Sequence, residues 1–415
     1  MKQAGKSFFT LDGKLDVTSK APLTVAFIGG SLTEGEVDYE GTSLENENLK
    51  WSNVVLRFLS GLFPLRPLKA INAGLGGTGS EYGAARFLRD VLSHEPDLLF
   101  IEFSCNDCPS SDADCEGLGK RHRQTYLEGM IHQCMRAPKV PAIVYMHVPV
   151  PYGDEQTRLY KRGCAIKQEV LDHYGIGTVD AMADFDREFE ARKREDPALT
   201  REDFLRRYYE QYENGTFNVH PCASGYLFFA HAVINALCKA PKRYFAPFKM
   251  KKELYCKEDE RTVRLSYRYL GIASDRMEYL GDWKHYTAEQ PFESDDPTLL
   301  IRPNRLQRAC HFPDGVMQIE NPRGASFAFE TEADRICMPH ISAKAGLGAT
   351  VFADGEKVGV ATCRSVWHGM NYMGAWIPLP KGKKRIRFEV EDAKAEPSVF
   401  RFGYVIEGFD PEHEF

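Results

Sequence analysis

A serine hydroxyl becomes a nucleophile when a base takes its proton and N–H donors stand where negative charge will develop. Ser31 follows the apolar run Leu23-Thr24-Val25-Ala26-Phe27-Ile28 through Gly29-Gly30. A buried strand should therefore end in a Gly-Gly-Ser turn at the carboxyl edge of a sheet, where open α/β folds place their ligands. Two further apolar runs end in polar turns. Leu68-Lys69-Ala70-Ile71 leads into Asn72-Ala73-Gly74-Leu75-Gly76-Gly77-Thr78-Gly79, and Leu98-Leu99-Phe100-Ile101 leads into Glu102-Phe103-Ser104-Cys105-Asn106-Asp107. A late histidine stands in Val219-His220-Pro221. A serine, a glycine-rich turn with backbone N–H groups, an asparagine carboxamide and a histidine are the parts acyl transfer requires.

In order and local wording these four segments resemble the SGNH, or GDSL, hydrolase superfamily, over roughly residues 22 to 240. The resemblance implies that Ser31 is the nucleophile and His220 its base. It also implies an oxyanion hole made by the N–H groups of Ser31 and Gly77 and the Asn106 amide, with no cofactor. One position departs from the pattern: most of the superfamily has an aspartate three residues before the histidine, and here Phe217 stands there. Asp180, at the end of the run Ile176-Gly177-Thr178-Val179, and Glu213 are candidate orienting acids, and Asn218 is the neighbour in sequence. A backbone carbonyl could also hold the ring in a Ser-His dyad.

A competing nucleotide-binding reading comes from Gly74, Gly76 and Gly79, which satisfy G-x-G-x-x-G, with Glu102 near the place of a ribose-binding acid. It puts the dinucleotide turn after the second strand and leaves Ser31, Asn106 and His220 without roles. A lipase-type G-x-S-x-G elbow fits worse, because Gly29-Gly30-Ser31-Leu32-Thr33 lacks the second glycine.

The elements that must position these residues alternate along the first half of the chain. Apolar runs at 24–28, 68–73, 97–103, 142–147 and 176–179 interleave with helical patterns near 48–62, 80–93, 121–136, 155–173 and 223–238. That alternation predicts an α/β fold with a parallel sheet covered by helices on both faces, and it leaves His220 on a loop before the last helix. A charged stretch at about 181–216 reads as an insertion beside the site, whose Tyr208, Tyr209 or Tyr212 could line a pocket. From about residue 246 short alternating runs take over, including Thr262–Tyr267 and the pair flanking Asp354-Gly355. They predict a β-sandwich of jelly-roll type, giving domains 1–245 and 246–415. Its Trp283, Trp367 and Trp376, with His368 beside Trp367, offer rings and donors suited to a sugar.

Composition sets the outer bounds. The 415 residues suffice for two domains with separate cores, and a net charge of −6 gives no general attraction to nucleic acid or to an anionic membrane. Met1–Thr10 has no apolar leader segment, which predicts a cytoplasmic protein. Eleven scattered cysteines agree with reduced thiols. Cys105 and Cys108 form a lone C-x-x-C without the further ligands of a zinc site, though Cys105 could meet oxidants. An SGNH-like domain followed by a β-sandwich resembles bacterial carbohydrate acetylesterases, which implies deacetylation of mannan or xylan oligosaccharides. The alternatives are a lipid or acyl-thioester hydrolase, or a carbohydrate-binding protein with a disabled hydrolase fold.

Overall fold

The computed structural model describes residues 3–4, 8–10, 12–35, 48–287, 312–365, 371–395 and 397–411. It divides into compact units of residues 1–263 and 264–415. In the first, β1 (Leu23–Gly29), β2 (Leu68–Gly74), β3 (Leu98–Glu102), β4 (Ala142–His147) and β5 (Gly177–Asp180) form one sheet in the order β2-β1-β3-β4-β5. Every neighbouring pair is parallel, so each connection is a crossover and helices must cover both faces.

Adjacent residues of one strand serve opposite faces. Phe27 and Phe100 pack with Trp51 and Val55 of α2 (Trp51–Leu62) and with Phe229 and Val233 of the helix Ala223–Lys239. Ile28 and Ile101 pack on the other face with Phe87 of α3 (Ser80–Asp90), Met130 of α4 (Gly117–Arg136) and Val170 of α5 (Asp154–Tyr174). Burying each such side chain contributes roughly 1.5–3 kcal/mol, enough in sum to fix the register of the sheet. The chain runs outward from β1 to β2 and then returns to β3 on the other side of β1. This reversal opens a crevice at the carboxyl ends of β1 and β3. Ser31 opens the short helix α1 (Ser31–Glu34) at that crevice.

The stretch expected as an insertion contains α6 (Ala181–Glu195), α7 (Arg201–Leu205) and a hairpin of β6 (Tyr209–Gln211) with β7 (Phe217–Pro221). Phe185, Phe189, Phe204, Leu205 and Tyr209 give it a small core of its own. His220 therefore sits in a strand, not on the expected loop before α8 (Ala223–Lys239). The turn that makes this possible contains Asn214-Gly215, with Gly215 at φ +82°, a hairpin signal present in the sequence.

The unit boundary falls later than the expected 245/246. Residues 246–263 pack on the first unit, where the fully buried Glu128 carboxylate accepts the N–H groups of Tyr255 and Cys256 at 2.6 and 2.8 Å. Residues 262–263 belong to a short helix, Glu260–Val263, and the first strand of the second unit is Ser266–Gly271. That unit consists of antiparallel sheets. Strands Ser326–Thr331, Lys384–Val390 and Gly348–Ala353 pair side by side, with Phe327, Phe388 and Phe402 stacked in the core. Asp354 and Gly355, at φ +49° and +90°, make the expected tight turn into Glu356–Thr362. Trp283 is half-buried and packs edge-on against the core rings Phe327, Phe400 and Phe402.

Candidate active site

Ser31 Oγ lies 2.8 Å from His220 Nε2, although 189 residues separate them. The serine is 9% exposed and the histidine half-buried. The glycines before Ser31 are fixed by space. A Cβ on Gly29 would fall 2.3 Å from the Glu102 carbonyl oxygen, and one on Gly30 only 1.9 Å from Asn106 Oδ1 and 3.3 Å from the Thr78 carbonyl. The Asn106 carboxamide and the Gly77–Gly79 turn thus meet the chain one residue before Ser31. Gly77 is exposed and adopts φ +74°, a conformation that favours glycine; Asn106 is exposed as well. The three donors expected from sequence therefore come from turns that converge at the carboxyl ends of β1, β2 and β3.

Buried charges hold those turns. Glu34, at the end of α1, accepts the Gly76 N–H at 2.7 Å and so ties the glycine turn to the serine helix. Asp107, next to Asn106, accepts the Ser80 N–H at 2.9 Å and pairs with Lys167 Nζ at 2.8 Å. Lys167 is 1% exposed and also donates to the Phe103 carbonyl. Burial opposes its charge, but the Asp107 carboxylate more than offsets this and leaves its pKa above the usual lysine value. Arg123 donates to the Asp107 carbonyl at 2.7 Å. Sequence reasoning missed these anchors, although a lysine on the apolar face of α5 was a signal.

The same contacts remove the nucleotide reading. The Gly76 N–H and the first N–H of α3, which a pyrophosphate would need, are already taken by Glu34 and Asp107. Glu102 is 1% exposed and bound by Ser104 N–H and Oγ at 2.9 Å each, with its pKa raised by burial.

The histidine's other ring nitrogen faces a residue outside the pattern of acids. Nδ1 lies 3.1 Å from Asn218 Oδ1, which also accepts the His220 backbone N–H at 3.0 Å. Asp180 caps α6 by accepting the Ala183 N–H at 2.9 Å, at the end of the strand three places from β1. At about 4.8 Å per strand that is roughly 14 Å from the strand bearing Ser31. Glu213 is exposed in the turn of the β6-β7 hairpin. Tyr208 packs its ring against Phe185, Phe204 and Phe228 at 5.0, 5.2 and 5.6 Å, as part of the insertion's core. Trp367 and His368 lie outside the described residues. Burial pushes the Cys105 thiol up to about 12, so it is a poor nucleophile, and it raises Cys108 too. Among the described residues no group of three or more His, Cys, Asp or Glu side chains is arranged to hold a metal.

Over 94% of its length the chain superposes on 92% of a two-domain esterase (CEX) active on acetylated mannans, with a TM-score of 0.62 and 18% identity. The same esterase co-crystallised with mannopentaose gives 0.62 and 19%, over 96% of this chain and 94% of that one. At such identity the likeness is one of fold. A Bacillus subtilis (strain 168) protein described as uncharacterized lipoprotein YqeF is 30% identical over 95 residues, 22% of this chain and 38% of that relative. The match thus spans well under half of the relative's length. Residues 27–227, which carry Ser31, Gly77, Asn106 and His220, match the family of GDSL-like lipases and acylhydrolases.

Proposed function

We propose that this chain is a serine esterase that removes O-acetyl groups from oligosaccharides, with mannan or xylan fragments as the substrate class. The observation that carries the reading is the 2.8 Å contact between Ser31 Oγ and His220 Nε2 at a sheet edge flanked by Gly77 and Asn106. Ser31 Oγ attacks the acetyl carbonyl carbon while His220 Nε2 takes the hydroxyl proton. The carbonyl electrons move onto oxygen, where the Ser31 and Gly77 N–H groups and the Asn106 amide stabilise the charge. Collapse of this intermediate breaks the ester bond, and His220 gives its proton to the departing sugar oxygen. Water, deprotonated by the same nitrogen, then attacks the acetyl-serine and releases acetate, and the proton returns to Ser31.

The choice of acetylated glycans is supported by the fold shared with an esterase described as active on acetylated mannans, across both units. The test is acetate release from acetylated mannan and xylan oligosaccharides, run beside p-nitrophenyl esters of increasing chain length and a Ser31→Ala control. Rapid acetate release that falls by at least about 10⁴-fold in the control is the expected outcome. Ser31-dependent cleavage confined to long-chain esters would move the assignment to lipids. Silence on every ester would make the chain a binding protein built on a hydrolase fold.

A further inference from the structure

We propose that Asn218 sets the tautomer of His220, the task a carboxylate performs in a Ser-His-Asp triad, and does so without a charge. The inference rests on the reading of Ser31 as nucleophile and His220 as base. A carboxamide has an oxygen and a nitrogen end that are nearly alike in shape, so which end faces a ring must be argued from its other partners. Here the other partner decides. The backbone N–H of His220 can only donate, and the atom 3.0 Å from it is Asn218 Oδ1. Turning the amide over would set an NH₂ group against that N–H.

The same oxygen, fixed as an acceptor, is 3.1 Å from Nδ1, so Nδ1 must carry the ring proton. In a neutral imidazole this leaves Nε2 with its lone pair aimed at Ser31 Oγ, 2.8 Å away, the form that can accept a proton. The usual cost of an asparagine in this role arises from the opposite orientation: the NH₂ group donates to Nδ1, stabilises the wrong tautomer and lowers turnover by about 10⁴-fold. In this chain a backbone donor two residues along the same strand excludes that orientation. Position 218 therefore supplies the orientation a triad acid provides, but no charge to stabilise the imidazolium.

The test uses the full chain and p-nitrophenyl acetate, with kcat and kcat/KM followed against pH. Ser31→Ala is measured first. If hydrolysis survives it, the nucleophile reading falls and this proposal falls with it. With Ser31-dependent hydrolysis in hand, Asn218→Ala should lower kcat by about 10²-fold, with the loss in kcat rather than KM. Asn218→Asp keeps the acceptor and adds a charge, and it is close enough in shape to test the idea should the alanine variant fail to fold. It should retain more activity than Asn218→Ala and move the acid limb of kcat/KM upward by about one pH unit, because a carboxylate beside the ring favours the imidazolium. Titratable groups on the elements packed against β7 include Glu34 on α1, Tyr209 and Glu210 on β6, and Tyr226 and His231 on α8. They are common to wild type and variants, so a displaced limb reads position 218. A wild-type kcat in Asn218→Ala, or an acid limb in Asn218→Asp that overlies the wild-type limb, would overturn the proposal while leaving the Ser31 reading intact.

Discussion

On one side of the site, three turns at the sheet edge interlock so closely that Gly30 has no room for a methyl group, and Glu34, Asp107 and Lys167 tie them together from beneath. On the other, His220 rides on a five-residue strand of a two-stranded hairpin, with Phe217, Asn218, Val219 and His220 all half-buried. The difference matches what each side must do under the proposed mechanism. Donors that stabilise an oxyanion act only if they wait at the correct distance before charge appears. A base must serve two oxygens in turn, the serine's and the leaving group's, and so tolerates a lighter support.

Breaking the buried ion pair should have the largest effect on this contrast. Lys167→Met strands the Asp107 carboxylate in the interior, and unfolding by denaturant should show a loss of about 3–5 kcal/mol. The same variant should lose kcat, because Asp107 adjoins Asn106; an unchanged stability would show that the turns are held by other means. Asn106→Ala separates the donor from its support. Since Asn106 is exposed, its thermal midpoint should stay put while kcat falls by about 10²- to 10³-fold. A fall of only a few-fold would remove the carboxamide from the oxyanion hole.

The smallest effect should come from the base side. A methyl on Gly215 meets nothing within 4 Å, so Gly215→Ala tests only the strain of φ +82° in the hairpin turn, about 1 kcal/mol. Turnover should drop by about two- to threefold as the hairpin loosens, consistent with a strain of that size. A loss as large as that of Asn106→Ala would mean that His220 needs as firm a mount as the donors, and the contrast would not stand.

The donor side is readable in the sequence because each of its residues follows an apolar run that becomes a strand, buried in β1 and β3 and partly exposed in the edge strand β2, and such runs announce both the strand and its end. Ser31, Gly77 and Asn106 could be placed at one edge for that reason, and the alternation of strands and helices gave the order of layers. The base side was harder. His220 stands out by its place in the chain, but Val219 and its half-buried neighbours carry no strong strand pattern, and the Asn214-Gly215 turn is a weak signal without one. Asp180 and Glu213 stand out in the sequence because the triad pattern calls for a carboxylate. Asn218 shows in the sequence only as a neighbour, since what gives it a role is a backbone N–H that no side-chain pattern reveals. Glu34, Asp107 and Lys167 stayed hidden because pairing across 60 residues of sequence, as between Asp107 and Lys167, leaves no local trace.

Asn218 and His220 are two residues apart on one strand, so the ring and the atom that holds its proton travel together. Where a triad's acid stands on a separate loop, any movement of the histidine breaks the contact that keeps its hydrogen in place. Here a displacement of the strand Phe217–Pro221 as a unit leaves the Nδ1 contact intact, because both of its partners belong to that strand.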